Sequence, residues 1–307
     1  MRVFVAGGTG LIGHRLIPRL RERGHEVVLL TRQPSAAPEL GPDVEVVGGD
    51  PAEPGPWQEH LDTCDGVIHL AGENLFKQRW SDAFLRRVRA SRVDSTRLVA
   101  ETMARRPRRG DGPPRVQVNA SAIGYYGDCG DEELTEESPP GTDELARICV
   151  DWEQATQPAR DAGVRVAVVR TGIVFAARGG ALPLMARPFR YFAGGRVGSG
   201  RQWVSWVHIE DIAGIYLLAL ENAAVSGPLN GTAPNPARNS DLSRTLGKVL
   251  RRPSWLPVPA AALRLALGGV GKVVTASQRV LPRAPFAHDY VFRFPELEPA
   301  LRDLLAR

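Results

Sequence analysis

Three glycines spaced three residues apart, Gly7, Gly10 and Gly13, stand between an apolar run at residues 2–6 and a stretch whose apolar residues recur with helical spacing. A chain that turns sharply off a strand, brings its backbone against a ligand and packs a helix closely has reason to omit Cβ at all three places. The N–H groups that open such a helix lack intrahelical partners and carry the positive end of its dipole, which suits a pyrophosphate. Preceded by a strand and followed by a helix, this G-x-x-G-x-x-G reads as the phosphate cradle of a dinucleotide. The plainer reading is an ordinary strand-to-helix turn.

The end of the second strand selects among dinucleotides. A carboxylate there takes the ribose 2′-hydroxyl of NAD. This chain has Thr31 and Arg32 instead. A guanidinium matches a 2′-phosphate, which a carboxylate repels, so the expected cofactor is NADP(H). The alternative is that Arg32 is a surface arginine. Leu70-Ala71-Gly72 closes a later strand with small residues, allowing a cofactor to lie along the backbone there.

The elements that must position these residues follow from apolar patterning. Residues 2–6, 26–31, 44–47, 66–71, 115–120 and 165–170 read as strands, and 11–23, 81–104 and 143–162 as helices between them. Strands alternating with helices over about 170 residues argue an α/β, Rossmann-type doubly wound parallel sheet. Residues 1–172 are the expected nucleotide-binding domain, with 203–225 packing back on it. Residues 173–307 are the expected substrate lobe and C-terminal segment. In that half, 178–202 is glycine-rich and reads as loop, 204–207 as a strand, and 211–221, 242–250, 260–267 and 297–305 as helices.

Composition excludes several classes. The chain has 307 residues, 43% hydrophobic and 24% charged, which is globular. No run of about 18 apolar residues is present, so neither a membrane span nor a membrane partner is expected. The start shows no secretory pattern, and Cys64, Cys129 and Cys149 have no pairing or metal-ligand spacing, so a cytoplasmic protein without metal or disulfides is expected. The net charge of +5 is mostly arginine spread along the chain. The densest cluster, Arg105 to Arg109, lacks interleaved aromatics, so no nucleic-acid partner is expected. The long helices 81–104 and 143–162 could pair across a two-fold, giving a homodimer.

Beyond these readings the chain resembles the extended branch of the short-chain dehydrogenase/reductase superfamily, in its atypical epimerase-like oxidoreductase subgroup. The resemblance rests on G-x-x-G-x-x-G, LAGEN (70–74), SAIGYYG (121–127), DWE (151–153), RTGIV (170–174), GSGRQW (198–203), SWVHIEDIA (205–213) and RRPSWLPVP (251–259), in order along the whole chain. It implies that Gly7, Thr9, Gly10, Leu11, Ile12 and Gly13 cradle the pyrophosphate, that Thr31 and Arg32 hold the 2′-phosphate, and that Leu70 and Ala71 lie along the cofactor. It further implies that Arg92 reaches the cofactor from the long helix and that the segment from Gly172 to Val174 borders the nicotinamide.

The superfamily's Tyr-x-x-x-Lys pair is absent. None of the tyrosines at 125, 126, 191, 216 and 290 has lysine four residues on. Alignment by the DWE end puts Leu145 and Cys149 at the two places, and neither can do that proton chemistry. The superfamily's Ser/Thr falls on Ser121, or on Ala122 when counted back from Tyr126-Gly127. Tyr125 and Tyr126 are the remaining candidates for moving a proton, and Trp203 for walling a substrate pocket. Glu73 and Lys77 read more simply as surface charges, and His208-x-x-Asp211 as an anchor for the second lobe. Two functions stay open. The preferred one is an NADP(H)-dependent oxidoreductase or epimerase-like enzyme acting on a small carbonyl or hydroxyl compound, such as a sugar nucleotide. The other is an NADPH-binding sensor or scaffold without hydride transfer.

Overall fold

The apolar runs join into one seven-stranded parallel sheet in a computed structural model that describes residues 1–35, 44–108, 110, 112, 115–259, 261, 263 and 268–305. Its strands are β1 (Arg2–Ala6), β2 (Glu26–Thr31), β3 (Val44–Gly48), β4 (Gly66–His69), β5 (Val116–Ala122), β6 (Arg165–Thr171) and β7 (Gly227–Gly231). Their spatial order is β7-β6-β5-β4-β1-β2-β3. The order reverses beside β1, which puts the crevice for a ligand at the C-terminal ends of β1 and β4.

Alternation along each strand divides the core. Val3, Val5, Val27, Leu29, Val118 and Val169 face one side, against Leu16, Ile17 and Leu20 of α1 (Leu11–Glu22) and against Ile212, Ile215 and Tyr216 of the later helix Ile209–Glu221. Phe4, Ala6, Val28, Leu30, Val166 and Val168 face the other, against Trp57 and Leu61 of α2 (Trp57–Asp62) and Val99, Ala100 and Met103 of α3 (Asp82–Arg105). Both faces are therefore dry, which is why the strands read as unbroken apolar runs. Ser81 caps α3 by accepting from the Phe84 N–H, and Asp143 caps α4 (Glu144–Gln154) by accepting from the Ala146 N–H at 2.9 Å.

Several expectations are corrected. The helix expected over 143–162 is two, α4 and α5 (Gln157–Asp161). Pro158 has no N–H to give the Gln154 carbonyl, so α4 cannot run through it. The stretch 178–202 is not all loop: it contains α6 (Ala181–Arg190), opened by Gly180 at φ +66. Ser205 interrupts the strand expected at 204–207, and its hydroxyl donates to the Gln278 carbonyl at 2.7 Å and accepts from the Val280 N–H at 2.9 Å. Neither α2 nor β7 was expected. Most of the helix expected at 260–267 lies outside the described residues.

The second half returns to the sheet twice, through α7 (Ile209–Glu221) on one face and β7 at the edge. His208 caps α7 by accepting from the Glu210 N–H, and its ring stacks on Phe294. Asp211 accepts from the N–H groups of Arg293 (2.7 Å) and Phe294 (2.9 Å). His208-x-x-Asp211 thus fastens the C-terminal segment.

His69, fully buried at the end of β4, gives the fold a pH dependence. The Ser95 hydroxyl already donates to the Ser91 and Arg92 carbonyls, so it can only accept from His69 Nε2–H, at 2.9 Å. Nδ1 is left bare and without a partner. Burial pushes the His69 pKa down to about 4. The unfolded state then binds the extra proton first, so His69's contribution is complete above pH about 6.5 and is lost as pH falls from there towards 4. That loss is on the order of 3 kcal/mol. Urea midpoints taken at pH 7 and pH 4.5 should fall less for His69→Gln than for the parent. Equal falls would place the acid sensitivity elsewhere.

Candidate functional site

The cradle forms where β1 turns into α1. Gly7 has φ +79, and a Cβ there would lie 2.6 Å from the Ala71 nitrogen and 2.7 Å from the Leu70 carbonyl carbon. The Gly7 turn and the Leu70-Ala71 turn therefore touch backbone to backbone, at a distance no side chain permits. Gly10 donates its N–H to the Gly7 carbonyl at 3.1 Å and precedes α1 with no side-chain cap. No acidic residue occupies the helix's first turn, so nothing on it opposes an anion. A Cβ on Gly13 would lie 2.1 Å from the Gly8 carbonyl oxygen, so this glycine seats the helix on its own turn. Thr9 on the loop and Leu11 and Ile12 in the first turn of α1 are half-buried. The Leu11 side chain runs beneath Gly179 and Gly180, so the segment leading into α6 lies against the cradle.

Thr31 and Arg32 end β2 differently. The Thr31 hydroxyl is buried and accepts from the Gln33 N–H at 3.1 Å, so it holds the turn. The Arg32 side chain is 76% exposed, with Asp50 the only carboxylate in range among the described residues, at 3.7 Å. Its guanidinium is free to swing onto an anion.

Leu70, Ala71 and Gly72 form the opposite wall. Arg92 lies beneath Gly72, where a Cβ would meet its guanidinium carbon at 3.3 Å. The same group donates to the Val88 carbonyl and sits 5.1 Å from the Trp152 ring, and burial lowers its pKa. At the far end, a Cβ on Gly172 would lie 2.6 Å from the Ser205 carbonyl oxygen, and Val174 pairs with Val207. The Gly7 turn, Thr31, Leu70 and Gly172 thus lie at the C-terminal ends of parallel strands of the one sheet.

The three hydroxyls expected near the chemistry are separated. Ser121 is buried and donates to Glu153 Oε1 at 2.7 Å. Glu153 binds Arg170 through two bonds of 2.9 Å, and Arg170 donates to the Tyr126 hydroxyl at 3.0 Å. Tyr126 in turn donates to Asn230 at 2.6 Å. Burial pushes the Tyr126 phenol up to about 12. Ser121 and Tyr126 are therefore members of a buried polar network, not open hydroxyls. Tyr125 differs. Its ring lies flat on Arg170, 3.5 Å from the guanidinium carbon, and among the described residues no group bonds its hydroxyl.

The absent pair leaves a legible gap. A Cβ on Gly124 would sit 3.7 Å from Cys149 Sγ and 3.9 Å from Leu145 Cβ, so both places do face the SAIGYYG turn. Burial pushes the Cys149 thiol up to about 12, which keeps it neutral. Neither can move a proton there.

Trp203 is half-buried and engaged by arginines. Its ring lies 4.0 Å from the Arg238 and 4.8 Å from the Arg279 guanidinium carbon, and Nε1 donates to Asp131 at 3.1 Å. Trp206 is buried on Phe175. Lys77 is exposed, 4.0 Å from Glu73. Among the described residues no cluster of His, Cys, Asp or Glu could hold a metal, and no helix is long and apolar enough to cross a membrane.

Sequence reasoning missed Glu153, Arg170 and Gln278. The first two stand in DWE and RTG, stretches that marked a resemblance but were given no chemistry. Gln278 Nε2 donates to the carbonyls of Ile123 and Gly127, both at 2.8 Å, so the C-terminal segment clamps the turn that carries Tyr125.

Comparison with known proteins agrees with this geometry. The profile of a family described as "NAD dependent epimerase/dehydratase family" matches residues 3–230, and that of a domain of unknown function (DUF1731) matches 258–304. The chain is 39% identical over 305 residues to the Arabidopsis thaliana "Epimerase family protein SDR39U1 homolog, chloroplastic", covering 99% of this chain and 87% of that one. It is 37% identical over 310 residues to the Homo sapiens "Epimerase family protein SDR39U1", covering 100% of both. A crystal structure of human SDR39U1 (isoform 2) with NADPH superposes with a TM-score of 0.87 at 36% identity over 100% of both chains. A UDP-glucuronic acid 4-epimerase from Bacillus cereus, at 16% identity, 98% and 96% coverage and TM-score 0.78, shares the fold.

Proposed function

The chain belongs to the NAD dependent epimerase/dehydratase family, and from that premise we propose that it is an NADP(H)-dependent oxidoreductase or epimerase-like enzyme acting on a small carbonyl or hydroxyl compound. The observation that carries the reading is the backbone contact at Gly7. The Gly7 turn packs directly on Leu70-Ala71, and the N–H groups that open α1, with no side-chain cap and no acidic residue beside them, are left to meet a phosphate. The human relative crystallised with NADPH supports the cofactor, and the exposed Arg32 supports the phosphorylated form.

Bound NADP(H) supplies or accepts a hydride at its nicotinamide. The protein's part is to bind, orient and move a proton. Backbone N–H groups at the start of α1 would hold the pyrophosphate, Arg32 would hold the 2′-phosphate, and Gly172 to Val174 would border the nicotinamide. Tyr125 is the proton-moving residue, because its hydroxyl has no structural partner while those of Ser121 and Tyr126 do. Arg170 beneath its ring and Gln278 behind its turn fix its position.

The test follows NADPH absorbance across a panel of carbonyl compounds and sugar nucleotides. Once a substrate is found, Tyr125→Phe should lower turnover by about 10²–10⁴-fold while leaving NADPH affinity unchanged. An unchanged rate removes Tyr125 from the mechanism. The second reading, a cofactor-binding sensor, is favoured by the missing Tyr-x-x-x-Lys pair. It predicts no turnover anywhere in the panel, and deuteride transfer from labelled cofactor to any ligand rules it out.

A further inference from the structure

Two long stretches of the second half hold no acidic residue. Residues 162–209 contain seven arginines and residues 242–288 eight arginines and lysines, without a single Asp or Glu. The two stretches meet in space at the end of α6. The N–H groups of Trp255 and Leu256 both donate to the Gly194 carbonyl, Trp255 Nε1 donates to the Phe192 carbonyl at 3.0 Å, and Val258 N–H donates to the Arg196 carbonyl.

This firmly hydrogen-bonded junction exposes large apolar side chains to water. Tyr191 is 73% and Trp255 66% exposed, and Leu184, Phe192 and Leu256 project beside them. Arg187, Arg190, Arg251 and Arg252 are exposed around them, with Arg252 stacked on Phe192. Beside Trp255 a cavity of about 200 Å³ opens, lined by Arg196, Ser240, Ser243, Arg244, Ser254 and Pro257. Ser243 and Ser254 bond each other at 2.8 Å, Arg196 bonds the Ser199 carbonyl, and Arg244 bonds Asp241, at the start of α8 (Asn239–Leu250). Aromatic and leucyl side chains ringed by arginines match the interface of a bilayer, where apolar tips leave water and guanidinium groups meet lipid phosphates.

We propose that this face docks on an anionic phospholipid surface, with Trp255, Tyr191 and Leu184 entering the interface and a headgroup phosphate entering the cavity between Arg196 and Arg244. Surface docking needs no spanning helix, so the absence of a long apolar run does not oppose it. Charge complementarity selects this occupant. A second copy would bring the same arginines face to face and be repelled, and Leu184 and Leu256 would gain nothing on a nucleic acid. The proposal does not rest on the enzymatic reading, since none of these residues is assigned to the cofactor crevice.

The test is co-sedimentation of the full chain with vesicles of phosphatidylcholine alone, and of phosphatidylcholine with phosphatidylglycerol, at low and high salt. Expected is binding only to the anionic vesicles, weakened by salt, and weakened about tenfold or more by Trp255→Ser and by Arg244→Glu. NADPH binding serves as the check that each variant folds. Leu184→Ser, on a separate element, should weaken binding in the same direction if Trp255→Ser fails to fold. Absence of sedimentation with anionic vesicles overturns the proposal. So does sedimentation that none of the variants alters, a dimer broken by Trp255→Ser, or nucleic-acid binding lost in the same variants. Quenching of Trp255 by free glycerol phosphate, identified by its loss in Trp255→Phe, without vesicle binding would assign the cavity to a soluble phosphate and likewise overturn it.

Discussion

Arg32→Asp is expected to raise the dissociation constant for NADPH by about 10²–10³-fold and to change that for NADH by less than about threefold. The parent side chain projects from the end of β2 with most of its surface in water, and Asp50, at 3.7 Å, is too distant for a strong hydrogen bond. Swinging onto a 2′-phosphate therefore sacrifices little. A hydrogen bond between charged groups contributes about 1.5–3 kcal/mol, and a carboxylate in its place adds repulsion to the loss. Together these come to roughly 3–4 kcal/mol, which is the stated ratio. NADH carries no phosphate there, and its hydroxyl can donate to the new aspartate, so it should be nearly indifferent. Calorimetric titration of both cofactors into both proteins measures this. Parallel losses for NADPH and NADH would show that the phosphate is held by another group and that Arg32 acts on the turn as a whole.

The cradle was legible because its requirement is local. Gly7, Gly10 and Gly13 each answer a backbone need that shows in the residue itself, and the touching partner Leu70-Ala71 ends a strand whose apolar run is unmistakable. The parallel sheet was legible for the same reason, since burial on both faces writes β1, β2 and β6 as near-continuous apolar runs. α6 was hidden by its neighbours: glycines before and after it, with Pro183 and Pro188 inside, drown the helical spacing of Leu182, Ala186 and Phe189. The buried polar network was hidden by distance. Ser121 finds Glu153 32 residues away, and Glu153 finds Arg170 17 away. No spacing rule joins residues brought together by β5, α4 and β6. Arg170 sits in RVAVVR, where the pattern marks the end of a strand and says nothing of a partner. The sequence did expose the missing lysine, because an absence at a fixed spacing can be read without coordinates.

Glu153 is where that long-range pairing should show itself most strongly. Glu153→Ala is expected to destabilise the protein by about 3–5 kcal/mol, the cost of leaving a buried guanidinium without its counter-charge. The Arg170 side chain is 5% exposed. Burial by itself would lower its pKa, yet the Glu153 carboxylate more than offsets this and holds it above the ordinary value. Without that carboxylate, Arg170 keeps only neutral acceptors, the Tyr126 hydroxyl and the Glu136 carbonyl, and Ser121 loses its acceptor entirely. Replacing both charges together, as in Glu153→Leu with Arg170→Met, should recover most of the loss, because an apolar pair of similar volume avoids the desolvation that the ion pair bears. Urea denaturation of the two single variants and the double variant separates the possibilities. If the double variant is as unstable as the sum of the singles, packing around Tyr125 and Tyr126, not charge, sets the cost. If it is stable but slow, the rings of Tyr125 and Tyr126 will have lost the cation that lies 3.5 Å and 5.2 Å from them. The ion pair would then serve chiefly to aim Tyr125, and stability could be separated from turnover at this one site.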